Sequence, residues 1–215
     1  MKGWRLWLSA ALTLFLVGSV TARPASAEWF FDLYGGGAFT QDADITFRGG
    51  TTVDDQVSFD TVATGGGRIG YWLDGVGLPW LGFALDGSYF APKANSTVLD
   101  TRLEVLPISG LILFRAPLLA SPAFPNGQVQ PYIGGGPSLF VTDVKIDSSL
   151  TGERRSDAQV EVGGDVRAGI TFLLTPNFGI FAEGRYTFFK TNPGGQSTEF
   201  DVETFHALGG LTIRW

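Results

Sequence analysis

The chain has 215 residues, a formal net charge of -6 and no cysteine. That excludes a disulfide framework and, with no basic cluster anywhere, excludes a nucleic-acid-binding role. A content of 30 glycines beside 18 phenylalanines marks a β-protein whose outer surface is not all meant for water.

Lys2 and Arg5 precede a mostly apolar run from Leu6 to Val20, and Ala25-Ser26-Ala27 forms a small-x-small cleavage pattern. This is the pattern of a secretory signal peptide, residues 1–27, cleaved after Ala27. The apolar run is short of the roughly 20 residues that a spanning helix needs. Cleavage removes Lys2, Arg5 and Arg23 and no acidic residue, which leaves a single domain, 28–215, of 188 residues and charge -9. No later stretch reads as a transmembrane helix, so a bilayer would be entered only as a barrel.

Taken in order, the mature chain alternates with period two. The first predicted strand, Trp29 to Thr40, sets Trp29, Phe31, Leu33 and Phe39 against Asp32 and Tyr34. Gln41 to Gln56, rich in Asp, Gly and Thr, reads as a long polar loop. The second strand, Val57 to Leu73, sets Ile69 and Tyr71 against Asp60, Thr64, Arg68 and Trp72, and a short turn follows at Asp74–Pro79. The third, Trp80 to Ala91, sets Leu81, Phe83, Leu85 and Tyr89 against Asp86 and Ser88. In the fourth, Val98 to Phe114, Leu103, Val105, Leu111 and Leu113 are read as the apolar face and Arg102 and Glu104 as the polar one. A Pro-rich connection, Ala116 to Gln128, cannot be regular strand throughout. The fifth strand, Val129 to Val144, runs into a charged loop at 145–157. The sixth alternates Val160, Val162, Val166, Ile170 and Phe172 with Glu161, Asp165 and Arg167. The seventh, Phe178 to Phe189, sets Ile180, Tyr186 and Phe188 against Glu183 and Arg185. The eighth, Asp201 to Trp215, sets Phe205, Leu211, Ile213 and Trp215 against Thr204, His206, Thr212 and Arg214.

Most of these strands reach the nine to eleven residues of a tilted membrane strand. Connections after the odd-numbered strands are long and polar, and two of the other three are short. Period two alone does not say whether the apolar face lines a soluble calyx or meets lipid. Lysine argues for lipid: after residue 27 the chain has only Lys93, Lys145 and Lys190, all at strand ends, whereas a water-facing wall carries many. Trp29, Tyr71, Tyr89, Tyr186 and Trp215 fall near strand ends on the apolar face, where interfacial aromatic girdles lie.

The aromatic first strand EWFFDLYGGGAF, the segment PYIGGGPSLF and the closing ALGGLTIRW, within eight alternating strands, resemble the small eight-stranded outer-membrane β-barrel family of the OmpA/OmpX type. The resemblance implies an all-β, eight-stranded antiparallel up-and-down transmembrane β-barrel in a bacterial outer membrane. It implies outer-membrane lipids and lipopolysaccharide as neighbours. It also implies an assembly signal at Leu211, Ile213 and Trp215, read by the barrel-assembly machinery.

The polar faces carry Asp32, Asp60, Arg68, Asp86, Arg102, Glu104, Glu161, Asp165, Arg167, Glu183, Arg185 and Arg214. Arginines with mixed carboxylates suit a paired network inside a narrow lumen, because the guanidinium fork meets carboxylates bidentately and an unpaired buried charge is costly. Gly65-Gly66-Gly67-Arg68-Ile69-Gly70 matches G-x-G-x-x-G formally, but no helix follows to hold a pyrophosphate. One histidine and no cysteine leave no zinc ligand set. A lipid A-modifying enzyme would place His206 near the outer leaflet, yet His206 shares the lumen parity. The expectation is a monomeric barrel with a structural or surface-interaction role, no catalytic residue, no cofactor and no metal. A lipid-modifying enzyme, a small-solute pore and a soluble lipocalin-like binder are the alternatives.

Overall fold

A computed structural model describes residues 28–40, 43–47, 51–57, 61–91, 93–95, 100–147, 154–191 and 198–215. The expected signal peptide 1–27 lies outside the described residues. Alternating polarity extends the backbone into β1 (Glu28–Thr40), β4 (Val62–Leu73), β5 (Leu78–Phe90), β7 (Asp100–Arg115), β8 (Val129–Asp147), β9 (Arg154–Thr175), β10 (Phe178–Thr191) and β11 (Thr198–Arg214). Three short strands, β2 (Ala43–Phe47), β3 (Thr51–Val57) and β6 (Lys93–Asn95), lie between them.

The long strands pair antiparallel in the order β1-β4-β5-β7-β8-β9-β10-β11, and β11 returns to β1. Closure runs from Phe30↔Arg214 to Thr40↔Thr204, and Trp29 and Trp215 exchange backbone bonds at 3.0 and 3.1 Å. The result is the expected eight-stranded up-and-down barrel, in which each of the eight long strands has a long strand on both sides.

The wall's outer face is apolar: Leu33 is 59% exposed, Ile133 61% and Val162 70%. The polar side chains Asp32, Arg68, Asp86, Asp165, Arg167, Glu183 and Arg185 are buried inside. That is the inverse of a calyx and the arrangement of a barrel solvated by lipid.

Four details differ from the sequence reading. Segment 41–56 contains the β2–β3 hairpin, whose β2 adds to β11 through Thr198↔Phe47 and Glu199↔Thr46. The alternating run Ala43–Phe47 is only five residues long within a stretch rich in Asp, Gly and Thr, so the composition reads as loop. The expected start of the second strand at Val57 is instead the end of β3, with β4 beginning at Val62. The charged loop expected over 145–157 is largely ladder, since β8 and β9 pair as far as Asp147↔Arg154. In β7 the parity is reversed: Val105, Ser109, Leu111, Leu113 and Arg115 face inward, and Leu106, Ile108, Ile112 and Phe114 face out. Both faces of this strand are apolar over 111–114, and the buried Ser109 and Arg115 fix which one is inside.

At the end carrying Glu28 and Arg214 the connections are a 3-10 turn at Asp74–Val76, the segment 116–128 and the turn at Pro176-Asn177. Gly77 takes the left-handed conformation at φ 79 that closes the first of these. Within the wall, Gly136 is a point of close approach, where a Cβ would lie 1.9 Å from the Gly110 carbonyl oxygen, while a Cβ on Gly87 would meet nothing within 4 Å. Gly136→Ala is therefore expected to destabilise the barrel by about 2 kcal/mol or more through overpacking against backbone. Gly87→Ala is expected to be neutral or to stabilise by about 0.5 kcal/mol. Urea midpoints in detergent micelles measure both, and equal losses at the two positions would refute the close-approach account.

Candidate functional site: the barrel lumen

The inward residues of β1 read the interior as layers. From the end holding Glu28 and Trp215, here the terminal end, they are Glu28, Phe30, Asp32, Tyr34, Ala38 and Thr40.

The central layer is ionic. Register sets Asp32 on β1 opposite Arg68 on β4, and Arg68 opposite Asp86 on β5. Arg68 donates Nε–H to Asp32 at 2.7 Å and Nη1–H to Glu183 on β10 at 2.7 Å, so one guanidinium ties neighbouring strands and crosses the lumen. Arg167 and Arg185 are direct cross-strand neighbours. Their like charges are held side by side by shared carboxylates. Arg167 donates to Asp86 at 3.0 Å and to Asp165 at 3.0 Å. Arg185 donates to Asp86 at 3.2 Å and to Ser88 at 3.1 Å. Glu183 Oε1 lies 3.4 Å from both. Two tyrosines complete the carboxylates, Tyr34 donating to Asp86 and Tyr132 to Glu183, each at 2.8 Å. The guanidinium carbon of Arg185 also lies 4.9 Å from the Tyr34 ring centre. Asp86 and Glu183 are each met by several donors, Asp165 by Arg167 and Ser109, and Asp32 by Arg68, so no carboxylate of this layer is left without a charged partner, the condition under which buried charge is tolerable.

A second ionic layer closes the terminal end. Arg115 donates to Glu28 at 2.7 Å, Asp74 at 3.1 Å, Gln130 at 3.1 Å and the Pro79 carbonyl at 2.7 Å. Its guanidinium carbon sits 4.3 Å from the Trp72 ring centre. Arg214 donates to Glu28 at 2.6 Å, and the Asn126 amide donates to Glu28 and Asp74. Burial, reinforced by the Glu28 carboxylate, pushes Asp74 up to about 6 against the pull of Arg115.

Apolar layers separate and cover these two. Phe30, Trp72, Leu111 and Leu113 pack between them. Towards the far end Ala38, Phe90, Val105, Phe140, Phe189 and Val202 fill the section. His206 lies there, fully buried, its ring 5.0 Å from Phe90 in a T-shape and its Nε2 3.2 Å from the Thr187 hydroxyl.

Of the residues singled out from sequence, Asp32, Arg68, Asp86, Asp165, Arg167, Glu183 and Arg185 meet in the central layer. Arg214 belongs to the terminal layer instead. Glu104 is a correction: it shares the outward parity of β7, opposite to buried Val105 and Ser109, and is half-buried at the far end of the strand. Glu161 has the inward parity but is half-buried beyond Asp165, at the far end of β9. Asp60 and the side chain of Arg102 lie outside the described residues. Sequence reasoning missed Glu28, Asp74, Arg115, Asn126 and Tyr132, and set Tyr34 on the face of Asp32 without a role. Arg115 was the available signal, since a charge ending an apolar strand defines which parity is inside.

Arg167→Met removes the donor shared by Asp165, Asp86 and Glu183, and is expected to cost about 3–5 kcal/mol. Glu104→Gln, away from the lumen, is expected to stay within about 0.5 kcal/mol. Guanidinium unfolding in micelles distinguishes them. Because Asp74 binds its proton more tightly in the folded state, its contribution to stability falls as pH rises from 3.8 to about 6. Asp74→Asn should flatten that part of the pH–stability curve, and an unchanged slope would contradict the assignment.

The profile of the family described as "Outer membrane protein beta-barrel domain" matches residues 12–209. No curated protein sequence matches the chain. Among solved structures, the outer membrane protein OprG from Pseudomonas aeruginosa aligns at TM-score 0.59 and 15% identity, over 89% of this chain and 96% of that one. Neisserial surface protein A aligns at TM-score 0.51 and 18% identity, over 89% and 98%. The outer membrane protein AlkL, solved in lipid bilayers, aligns at TM-score 0.51 and 15% identity, over 91% and 93%. At these identities the likeness concerns the fold. With the family profile spanning nearly the whole chain, the protein belongs to the outer membrane protein beta-barrel domain family and resides in the bacterial outer membrane.

Proposed function

We propose that this protein is a sealed, monomeric membrane scaffold that performs no catalysis and conducts no solute along its axis. Its work is to hold the far-end segments, the β2–β3 hairpin and the long β8–β9 ribbon, on the outer side of the membrane. The observation that carries this reading is the filled lumen, in which two ionic layers and two apolar layers succeed one another with their guanidinium groups bridging the section. Eight strands enclose a space that side chains can fill.

Its neighbours in this reading are outer-membrane lipids and lipopolysaccharide. Leu211, Ile213 and Trp215, on the outward parity of the closing strand, serve the barrel-assembly machinery. The enzyme reading finds little support, because the one histidine of the sequence, His206, is buried in the lumen against Phe90 and turned away from lipid.

One observation favours a second reading, sideways passage of small apolar molecules. The β5–β7 ladder lapses between Gly87↔Ile108 and Phe90↔Val105, where Pro107 brings no N–H. Single-channel recording in planar bilayers tests the first reading, which expects no stepwise current from the wild-type protein; steady openings would sink it. Uptake of an apolar dye into proteoliposomes tests the second. Pro107→Ala, which restores a donor, should slow uptake if the gap is a route and leave it unchanged if it is not.

A further inference from the structure

The β7–β8 connection is the longest of the three described at its end of the barrel. From Ala116 to Pro125 it carries no charge and a single hydroxyl, that of Ser121. Leu118 and Leu119 are 49% and 69% exposed. In water such a segment would be expected to fold its leucines away, yet this one is fastened in a shape that presents them. Leu118 and Val129 exchange backbone bonds at 2.9 and 3.2 Å, Ser121 and Phe124 at 3.1 and 2.9 Å, and the Gln128 N–H donates to the Leu119 carbonyl at 3.3 Å.

Leu119 itself is held at φ 55, a left-handed conformation that leucine adopts only when its surroundings impose it. The opposite side of the turn is polar and latched. Asn126 donates to Glu28 and Asp74, and Gln130 Nε2 donates to the carbonyls of Asn126 and Gly127, each at 2.8 Å. One side is therefore tied to the barrel mouth and the other displays leucine.

The displayed side continues an established surface. Leu118 pairs with Val129, Val129 pairs with Phe172, and Phe172 pairs with Ile180, so Leu118 extends a row of outward apolar residues on the lipid-facing wall. Short turns mark the periplasmic end of outer-membrane barrels. From Ala116 to Gln128 this turn has no charge of its own to hold it off a bilayer or keep it in water.

We propose that the β7–β8 turn is a foot that rests in the periplasmic leaflet, with Leu118 and Leu119 at the boundary between headgroups and acyl chains. The foot is a rigid part of the barrel and anchors one side of it deeper than the β4–β5 side.

The absence of cysteine allows a direct test. Single-cysteine variants Leu119→Cys and Leu118→Cys are spin-labelled, checked for heat-modifiable folding, and reconstituted in phosphatidylethanolamine–phosphatidylglycerol vesicles. Phe114→Cys gives the lipid reference and Val76→Cys the aqueous one. The ratio of oxygen to nickel-chelate accessibility is expected to lie several-fold above that of Val76 and close to that of Phe114 for at least one of the leucine positions. Ratios equal to that of Val76 at both positions would overturn the proposal, placing the turn in water. Shielding from both reagents would also overturn it, because a protein neighbour and not lipid would then cover the turn.

Discussion

A charged side chain inside an eight-stranded barrel has too little room to carry its own hydration, so it must find its counter-charge within the section. The interior is arranged around that constraint. Arg68, Arg167 and Arg185 each touch carboxylates on more than one strand, and the carboxylate of Asp86 is shared by three donors and that of Glu183 by four. The apolar layers follow from the same requirement, since Phe30 with Trp72 on one side and Phe90 with Phe140 on the other exclude the water that would loosen the pairs.

This division of labour also explains the composition of the wall. Its outward positions need only be apolar and strand-forming, while its inward positions must match in charge, size and level across the lumen. Tyr34 and Tyr132 supply both needs at once, an aromatic face for a guanidinium and a hydroxyl for a carboxylate. A lumen built this way is a structural core turned polar. The membrane supplies the apolar surroundings that a soluble protein would make from its own interior.

Much of this was legible in the alternation of residues. Asp32, Arg68, Asp86, Asp165, Arg167, Glu183 and Arg185 each stand at inward parity in strands whose other face is plainly apolar. Legibility ended where parity lost its contrast. In β7 the residues from Leu111 to Phe114 are apolar on both sides, because two of them must fill the space beside Phe30 and Trp72, so the sequence does not show that Glu104 has the outward parity. In β2 and at the end of β8 the alternation is present but brief, Ala43, Ile45 and Phe47 against Asp44 and Thr46 and then Val144 and Ile146 against Lys145 and Asp147, and it is outweighed by the polar, Gly- and Asp-rich residues around it. Nor does any local pattern announce that Glu28, Asp74, Asn126 and Arg115, drawn from four separate parts of the chain, meet at one mouth.

The meeting of β1 with β11 has a kinetic meaning. Asp32 reaches Arg68 along the sheet, but Arg68 reaches Glu183 only across a lumen that exists after the last seam has closed. Until then every one of these groups is free to be solvated, so the seam's closure and the stripping of water from the ions are one event. The reverse path carries the same burden, because parting β1 from β11 must admit water to the whole cluster before any single pair can let go. The finished barrel should therefore persist through slow opening, with a lifetime set by the barrier at its seam more than by the sum of its contacts.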